Sequence, residues 1–432
     1  MQNDKKRIQI IWFRKDLRLG DNDLLQAAMQ KKLPCVAVFY WPSHWLETNT
    51  LGLSKMGGHR KRFLAESLAC LRTQLETYNI PLLLMDAPED LCSTLAAKYV
   101  VENLWYHEDT TFEEAQEAQQ VLSFWTNETK IWPLSRKGLF LKADCDRLIK
   151  KQEFSFSAFR KKVEKYLAVR ATDHYSLTVQ EPLNLEGLNG VLREEEFLET
   201  TSTIPDDTAF PFRGGELSAL DRLHGYLFEN HHVKTYKQTR NGLLGTEYST
   251  KFSPWLALGN ISAATIVETL KKYEREYGAN DSTYWVYFEL LWREYFKVLA
   301  EKNGTTFFQK YGFRTSKQSF PKASKEIFQL WIEGKTEDEF VNANMNELRS
   351  TGWMSNRGRQ NVASYWIHDL QGDWRWGAAY FEMQLIDYDV HSNYGNWQYI
   401  AGIGIDGKPK HFDVQQQASY YDKNGEFRAR WS

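Results

Sequence analysis

Three residues between Ser282 and Lys302 stand at i, i+3 and i+4: Glu289, Trp292 and Arg293. On a helix they share a face, and Ser282 reads as its N-cap. A carboxylate, an indole and a guanidinium side by side suit a flat polar ring, although an amphipathic helix with an Arg–Glu pair has the same pattern. The segment STGWMSNRGRQNVASYW repeats the spacing with Asn356, Arg359 and Gln360, whose amides and guanidinium suit base edges or phosphates. A third segment, LIDYDVHSNYGNWQY, carries a D-x-D pair, Asp387 and Asp389, then Asn393, Asn396 and Trp397. Such a pair holds a divalent metal against a phosphate or orients an organic cofactor by hydrogen bonds. Fourth, Ser249, Thr250 and Ser253 precede Pro254, so hydroxyls and helix N–H groups are placed for a diphosphate, or for ordinary capping.

Other chemistries have no support in the sequence. The ten histidines show no HExxH spacing, and GxSxG and P-loop motifs are absent. Cys35, Cys70, Cys92 and Cys145 are scattered without CxxC spacing, so neither a zinc site nor a disulfide framework is expected. A reducing, cytoplasmic setting is the expectation. The 54 basic and 56 acidic side chains leave a net charge of −2, which excludes a bulk polycation but not a local basic groove. Apolar runs such as PLLLM fall far short of the roughly 20 residues that span a bilayer. No signal peptide and no membrane association are expected. Aromatic residues reach 15%, and of the 16 tryptophans none lies between Trp132 and Trp255.

The elements that must position these groups fall into two sets. In the first third, IQIIWF, CVAVFYW, IPLLLMD and NLWYH read as strands separated by helical patterns. That order predicts a parallel, Rossmann-like α/β domain over residues 1–140, without GxGxxG. Its loop RKDLRLGDN sits where such sheets carry function, or forms a solvated turn. Residues 141–210 read as a linker: Glu181 to Asp207 holds eight acidic residues and one basic residue, with Pro, Gly and Thr interruptions. Residues 211–432 read as a larger all-α domain.

Taken together, the four segments and IWFRKDLRLGDNDLL resemble the photolyase/cryptochrome flavoproteins over nearly the whole chain. STYWVYFELLWREYF, STGWMSNRGRQNVASY and DYDVHSNYGNWQYIAGIG resemble the cryptochrome-DASH branch. The resemblance implies FAD in the helical domain and an antenna pigment, 5,10-methenyltetrahydrofolate, in the α/β domain. Tyr236, Ser249, Thr250, Lys251 and Ser253 match the segments holding the FAD phosphates and sugar. Arg359 and Asp387 match the pair beside the flavin ring, Asp389 its hydrogen-bonding edge, and Asn393 the residue facing N5. Arg293 matches a further cofactor contact, and Glu114 the antenna contact.

The implied activity is repair of cyclobutane pyrimidine dimers in single-stranded DNA by light-driven electron transfer from reduced FAD, with the lesion flipped into a pocket. Glu289, Trp292, Asn356, Gln360 and Tyr399 match that pocket, and Arg240 and Arg357 match DNA contacts. Gln360 stands where standard dimer photolyases carry Met. Ser355, Asn356 and Gln360 replace the histidines of (6-4) photolyases. A monomer is expected. The alternatives are a blue-light photoreceptor and a nucleic-acid binder with little repair activity.

Two departures bear on mechanism. Trp397 and Trp374 match the inner and middle members of the family's tryptophan electron chain. Its outer member would lie ten residues before Trp331, where this sequence has Pro321 beside Phe320. Neither is easily oxidised, so Trp353 or Trp376 is the candidate substitute. The family's KTGxPFVDAxMREL reads KTEDEFVNANMNEL here, with Glu337, Asn342 and Asn346 at altered positions.

Overall fold

The computed structural model describes residues 5–42, 45, 47–126, 128–151, 154–186, 203–313 and 323–432. Pro321, Phe320 and most of the acidic run lie outside the described residues.

The apolar runs of the first third form parallel strands: β1 (Arg7–Phe13), β2 (Cys35–Tyr40), β3 (Leu82–Met85) and β4 (Val100–Glu108). Helices α1 (Asp23–Gln30), α2 (Gly58–Glu76), α3 (Pro88–Lys98) and α4 (Phe112–Ser123) alternate with them. β5 (Lys130–Ser135) completes the order β3-β2-β1-β4-β5. β1 is central and buried beyond its first residue, which explains its unbroken apolar run. The chain reverses direction across the sheet at β1, so the switch-point crevice opens beyond the C-terminal ends of β1 and β4.

The loop after β1 is no solvated turn. Asp16, Leu17, Arg18, Asp21 and Asn22 are all buried. Asp16 and Asp23 clamp His107 of β4 at 2.5 and 2.8 Å. Burial opposes an imidazolium there, but the two carboxylates outweigh it and raise the His107 pKa. Arg18 donates to Gly259 O at 2.9 Å, and Asn260 donates to Leu17 O at 3.0 Å, which fastens the sheet to the helical domain.

Within the stretch read as linker, α5 (Lys142–Leu148) and α6 (Phe156–Tyr166) form. Phe156, Phe159 and Val163 recur at helical spacing and are buried in the same core as Trp255 and Tyr295. The helical domain continues with α7 (Glu216–His224), α8 (Ser253–Leu258), α9 (Ala263–Tyr277) and α10 (Asp281–Asn303). Then come α11 (Lys325–Ile332), α12 (Glu339–Thr351), α13 (Asn356–Ser364), α14 (Trp374–Gln384) and α15 (Val390–Ala401). The last two are α16 (Val414–Tyr421) and α17 (Glu426–Trp431). Among the described residues no helix is long and apolar enough to cross a membrane.

In the altered segment, Asn342 accepts from Thr336 N at 2.8 Å and donates to Thr336 O at 2.8 Å, and Asn346 donates to Trp431 O at 2.8 Å. Neutral amide bonds to the backbone hold this turn.

Candidate functional site

The helix carrying the first constellation starts earlier than expected. Asn280, not Ser282, is the N-cap of α10: its side chain accepts from Ser282 N and Thr283 N, and Thr283 closes a capping box. Asn280 offers a carboxamide oxygen and leaves Ser282 free to donate to Gln238 at 3.0 Å. Glu289 pairs with Arg240, and Arg293 donates to Leu256 O at 3.1 Å and lies 3.9 Å from Asp389. Trp292 stacks on Phe156 of α6, centroids 3.6 Å apart, and meets Tyr399 edge-on at 6.0 Å. One face of the indole is thus already covered.

α13 opens at Ser355, whose side chain caps Gly358 N. The helix then sets Asn356, Arg359 and Gln360 on one wall of a cleft of about 630 Å³. The loop before α15 and the first turns of that helix form the facing wall, with Asp387, Asp389, Asn393, Trp397 and Tyr399. The D-x-D carboxylates part company. Asp387 takes Arg359 at 2.9 Å and Ser253 Oγ at 2.7 Å, both on one oxygen; its other oxygen, Oδ1, is buried without a partner. Asp389 caps α15 through Ser392 N at 2.9 Å. Burial would push its pKa up, but the Arg293 guanidinium outweighs it and holds the carboxyl well below the usual range. Asn393 donates to Ala378 O at 3.0 Å, so its amide is fixed against α14.

The Ser249–Ser253 segment is shaped by Arg222, which sequence reasoning missed. Arg222 donates to the carbonyls of Thr246, Ser249 and Thr250 at 3.0 to 3.2 Å and pairs with Glu247 at 2.9 Å. Ser249 and Thr250 stay half-buried, and Tyr236 is buried nearby, its phenol pKa raised by burial. Lys251 turns inward instead. Its ammonium lies 3.4 Å from the Tyr248 ring and 4.5 Å from Trp353, with no hydrogen-bond partner. Glu347 faces the same interior: burial pushes its carboxyl up to about 8 and the Lys251 ammonium well down. Arg357 is partly spent on Asn241 at 3.2 Å and on the Tyr421 ring at 4.6 Å.

A second cleft, of about 850 Å³, opens at the C-terminal ends of β1 and β2, against the helical domain. Trp12, Tyr40 and Trp45 give it aromatic walls, and Lys55, Arg60 and Glu114 give it polar ones. Glu114 pairs with Lys15 at 2.7 Å; burial opposes its charge, but Lys15 prevails and keeps the pKa low. Tyr388 lines both clefts and carries Arg60 over its ring at 4.6 Å.

The first cleft fits a flavin. It joins an aromatic floor to two separately anchored carboxylates, amides and a guanidinium, and Asp387 Oδ1 is a buried acceptor in want of a donor. Trp374 is buried and does not line that cleft; its indole donates to Lys310 O at 2.9 Å and meets Tyr394 edge-on at 6.0 Å.

Family models for DNA photolyase match residues 9–181, and for the FAD binding domain of DNA photolyase residues 285–432. Cryptochrome DASH of Xenopus laevis is 41% identical, with 98% of this chain and 82% of that protein covered. The solved Synechocystis sp. PCC6803 cryptochrome superposes with a TM-score of 0.91 at 34% identity, over 100% of this chain and 89% of that one. A bacterial class III photolyase from Agrobacterium tumefaciens gives 0.83 at 25% identity, over 99% and 86%.

Proposed function

Since the chain belongs to the photolyase/cryptochrome family, in its cryptochrome DASH branch, and carries that family's FAD-binding domain, we propose that it repairs cyclobutane pyrimidine dimers in single-stranded DNA under blue light. The observation that supports this most is the convergence of Asn356, Arg359, Gln360, Asp387, Asp389, Asn393 and Trp397 on one cleft, with Trp292 and Tyr399 beside it.

Bound and reduced, FAD would supply the photoexcited electron that splits the dimer. The chain's residues bind and orient. Arg359, Asp387 and Ser253 form one hydrogen-bonded unit beside the ring. Asp389, held ionised beside Arg293, would accept from an N–H of the bound ring, and Asn393 would present its fixed amide to it. Ser249, Thr250 and Tyr236 serve the phosphates and sugar, whereas the Lys251 ammonium, buried against Tyr248 and Trp353, does not reach them. The Arg222 clamp sets the backbone of that segment.

For the flipped lesion, Glu289 is the acceptor for pyrimidine N–H groups, and Asn356 and Gln360 bond the carbonyl edges. Phe156 backs Trp292 and leaves its other face for stacking. Arg240, paired with Glu289, and Arg357, held by Asn241 and the Tyr421 ring, serve as contacts for strand phosphates. Single strands suit this site because flipping there costs little base-pair energy. The second cleft takes 5,10-methenyltetrahydrofolate, with Glu114 as a polar contact. We place the chain in the cytoplasm as a monomer, in keeping with its four unpaired cysteines; fractionation and sizing test both points.

Fluorescence anisotropy with rising salt tests the binding side. Repair predicts that a dimer-bearing single strand binds about tenfold tighter than its undamaged twin at every salt concentration. Salt-sensitive binding without that preference would replace repair with plain nucleic-acid binding.

A further inference from the structure

Trp397 lines the first cleft, and behind it stands a second file of tryptophans. Its ring lies 6.3 Å from Trp331, at 77°. Trp331 lies 5.2 Å from Trp366, at 31°. Trp366 stacks on Trp376 at 6.4 Å and 27°. Trp331 and Trp366 are fully buried, whereas Trp376 is half-exposed. The file therefore runs from the cleft to the surface.

The local sequence is built around these rings. Trp374 and Trp376 are two residues apart on α14, so they leave the helix in nearly opposite directions. Trp374 goes to Tyr394 and Lys310, and Trp376 to Trp366 and Phe328. Gly377 lets Trp397 lie against α14: a Cβ there would stand 2.1 Å from the indole. Gly372 does the same for Trp366, at 2.0 Å, and the Trp366 N–H is fixed on Asp373 O at 2.8 Å. Trp366 sits in a π-helical turn, Tyr365–Asp369, a form often kept at functional places.

We infer that Trp397, Trp331, Trp366 and Trp376 form an electron route that recharges the flavin from the surface, in place of the family's chain, whose outer position in this sequence is Pro321. This rests on the reading that FAD lies against Trp397. In the step, light drives one electron from the Trp397 indole to oxidised FAD. One electron then moves inward from Trp331 to Trp397, from Trp366 to Trp331, and from Trp376 to Trp366. The hole ends on Trp376, whose indole loses its N–H proton to water. An external thiol then returns a hydrogen atom, restoring the indole and leaving a thiyl radical.

The test is transient absorption of the FAD-loaded protein after a blue flash, following the tryptophanyl radical band, with dithiothreitol as the thiol. Trp376→Phe should shorten the radical's lifetime about tenfold and slow flavin reduction to match. Trp331→Phe should do likewise, and Trp132→Phe, on β5, should change neither. Melting temperature and bound FAD identify any variant that has lost its fold, and Trp376, being half-exposed, is the safest of the set. A change of under about twofold in Trp376→Phe, with the whole effect found in Trp374→Phe, overturns the route. A radical yield that survives in Trp397→Phe, or a chain without FAD, overturns the flavin reading instead.

Discussion

Arg359 and Ser253 converge on one oxygen of Asp387, at 2.9 and 2.7 Å, so a single carboxylate ties α13 to α8 beside the cleft. Asp387 is nearly buried, and its second oxygen has no partner in the protein. Replacing it by Asn keeps the shape and removes the charge that Arg359 faces. The expected result is loss of most bound FAD, read from the visible-to-280 nm absorbance ratio. Stability should fall by about 1 to 3 kcal/mol, because a buried charged hydrogen bond is broken on one side. Full FAD content in Asp387→Asn would contradict the assignment.

Glu347 gives a pH signature. Its folded pKa, about 8, lies above the ordinary carboxyl value of 4.5, so between those pH values the folded chain binds more protons than the unfolded one. Its contribution to stability is therefore full below about pH 4.5 and is lost as pH rises through about 8. Lys251, shifted down by burial, acts in the opposite sense. Melting curves from pH 5 to 8 should fall less steeply in Glu347→Gln than in the wild type. Parallel curves would show that Glu347 is ionised in the folded chain.

Trp292 has one face on Phe156, so in the proposed repair a pyrimidine has only the other face to stack on. Trp292→Ala should weaken binding of a dimer-bearing single strand by about 1 to 3 kcal/mol, the usual worth of one base–aromatic stack. Binding of undamaged strands should change much less. Equal losses on both, by anisotropy, would remove Trp292 from lesion recognition.

The antenna reading is tested at Glu114. Its carboxylate is held charged by Lys15 at 2.7 Å inside the second cleft. Glu114→Gln should lower methenyltetrahydrofolate affinity about tenfold, the worth of one charged hydrogen bond, measured by near-ultraviolet absorbance on titration. FAD content should be untouched. Undiminished folate binding would move the contact to another residue of that cleft.

What could be read from the sequence was local and periodic. Asn356, Arg359 and Gln360 share a cleft wall because i, i+3 and i+4 fix a helix face whatever the helix packs on. The central strands were visible as unbroken apolar runs. β5 was not, since KIWPLS mostly faces solvent along the sheet edge and contains Pro133. The N-cap moved from Ser282 to Asn280 because two capping residues compete within three positions. Phe156 on Trp292 and Trp331 against Trp397 were hidden for another reason: each joins helices far apart in the chain, and no spacing rule encodes that. The loop RKDLRLGDN looked solvated by composition, yet His107, Gly259 and Asn260 satisfy its charges and backbone groups in the interior.

Light-driven repair can be measured directly on a defined lesion. The protein is reduced chemically and illuminated with blue light in the presence of a single strand carrying one defined thymine dimer, and intact dimer is counted by chromatography. The dimer should be lost in the light only, and should survive when Glu289 is replaced by Ala. An undiminished dimer, with FAD bound and reduced, would contradict light-driven repair.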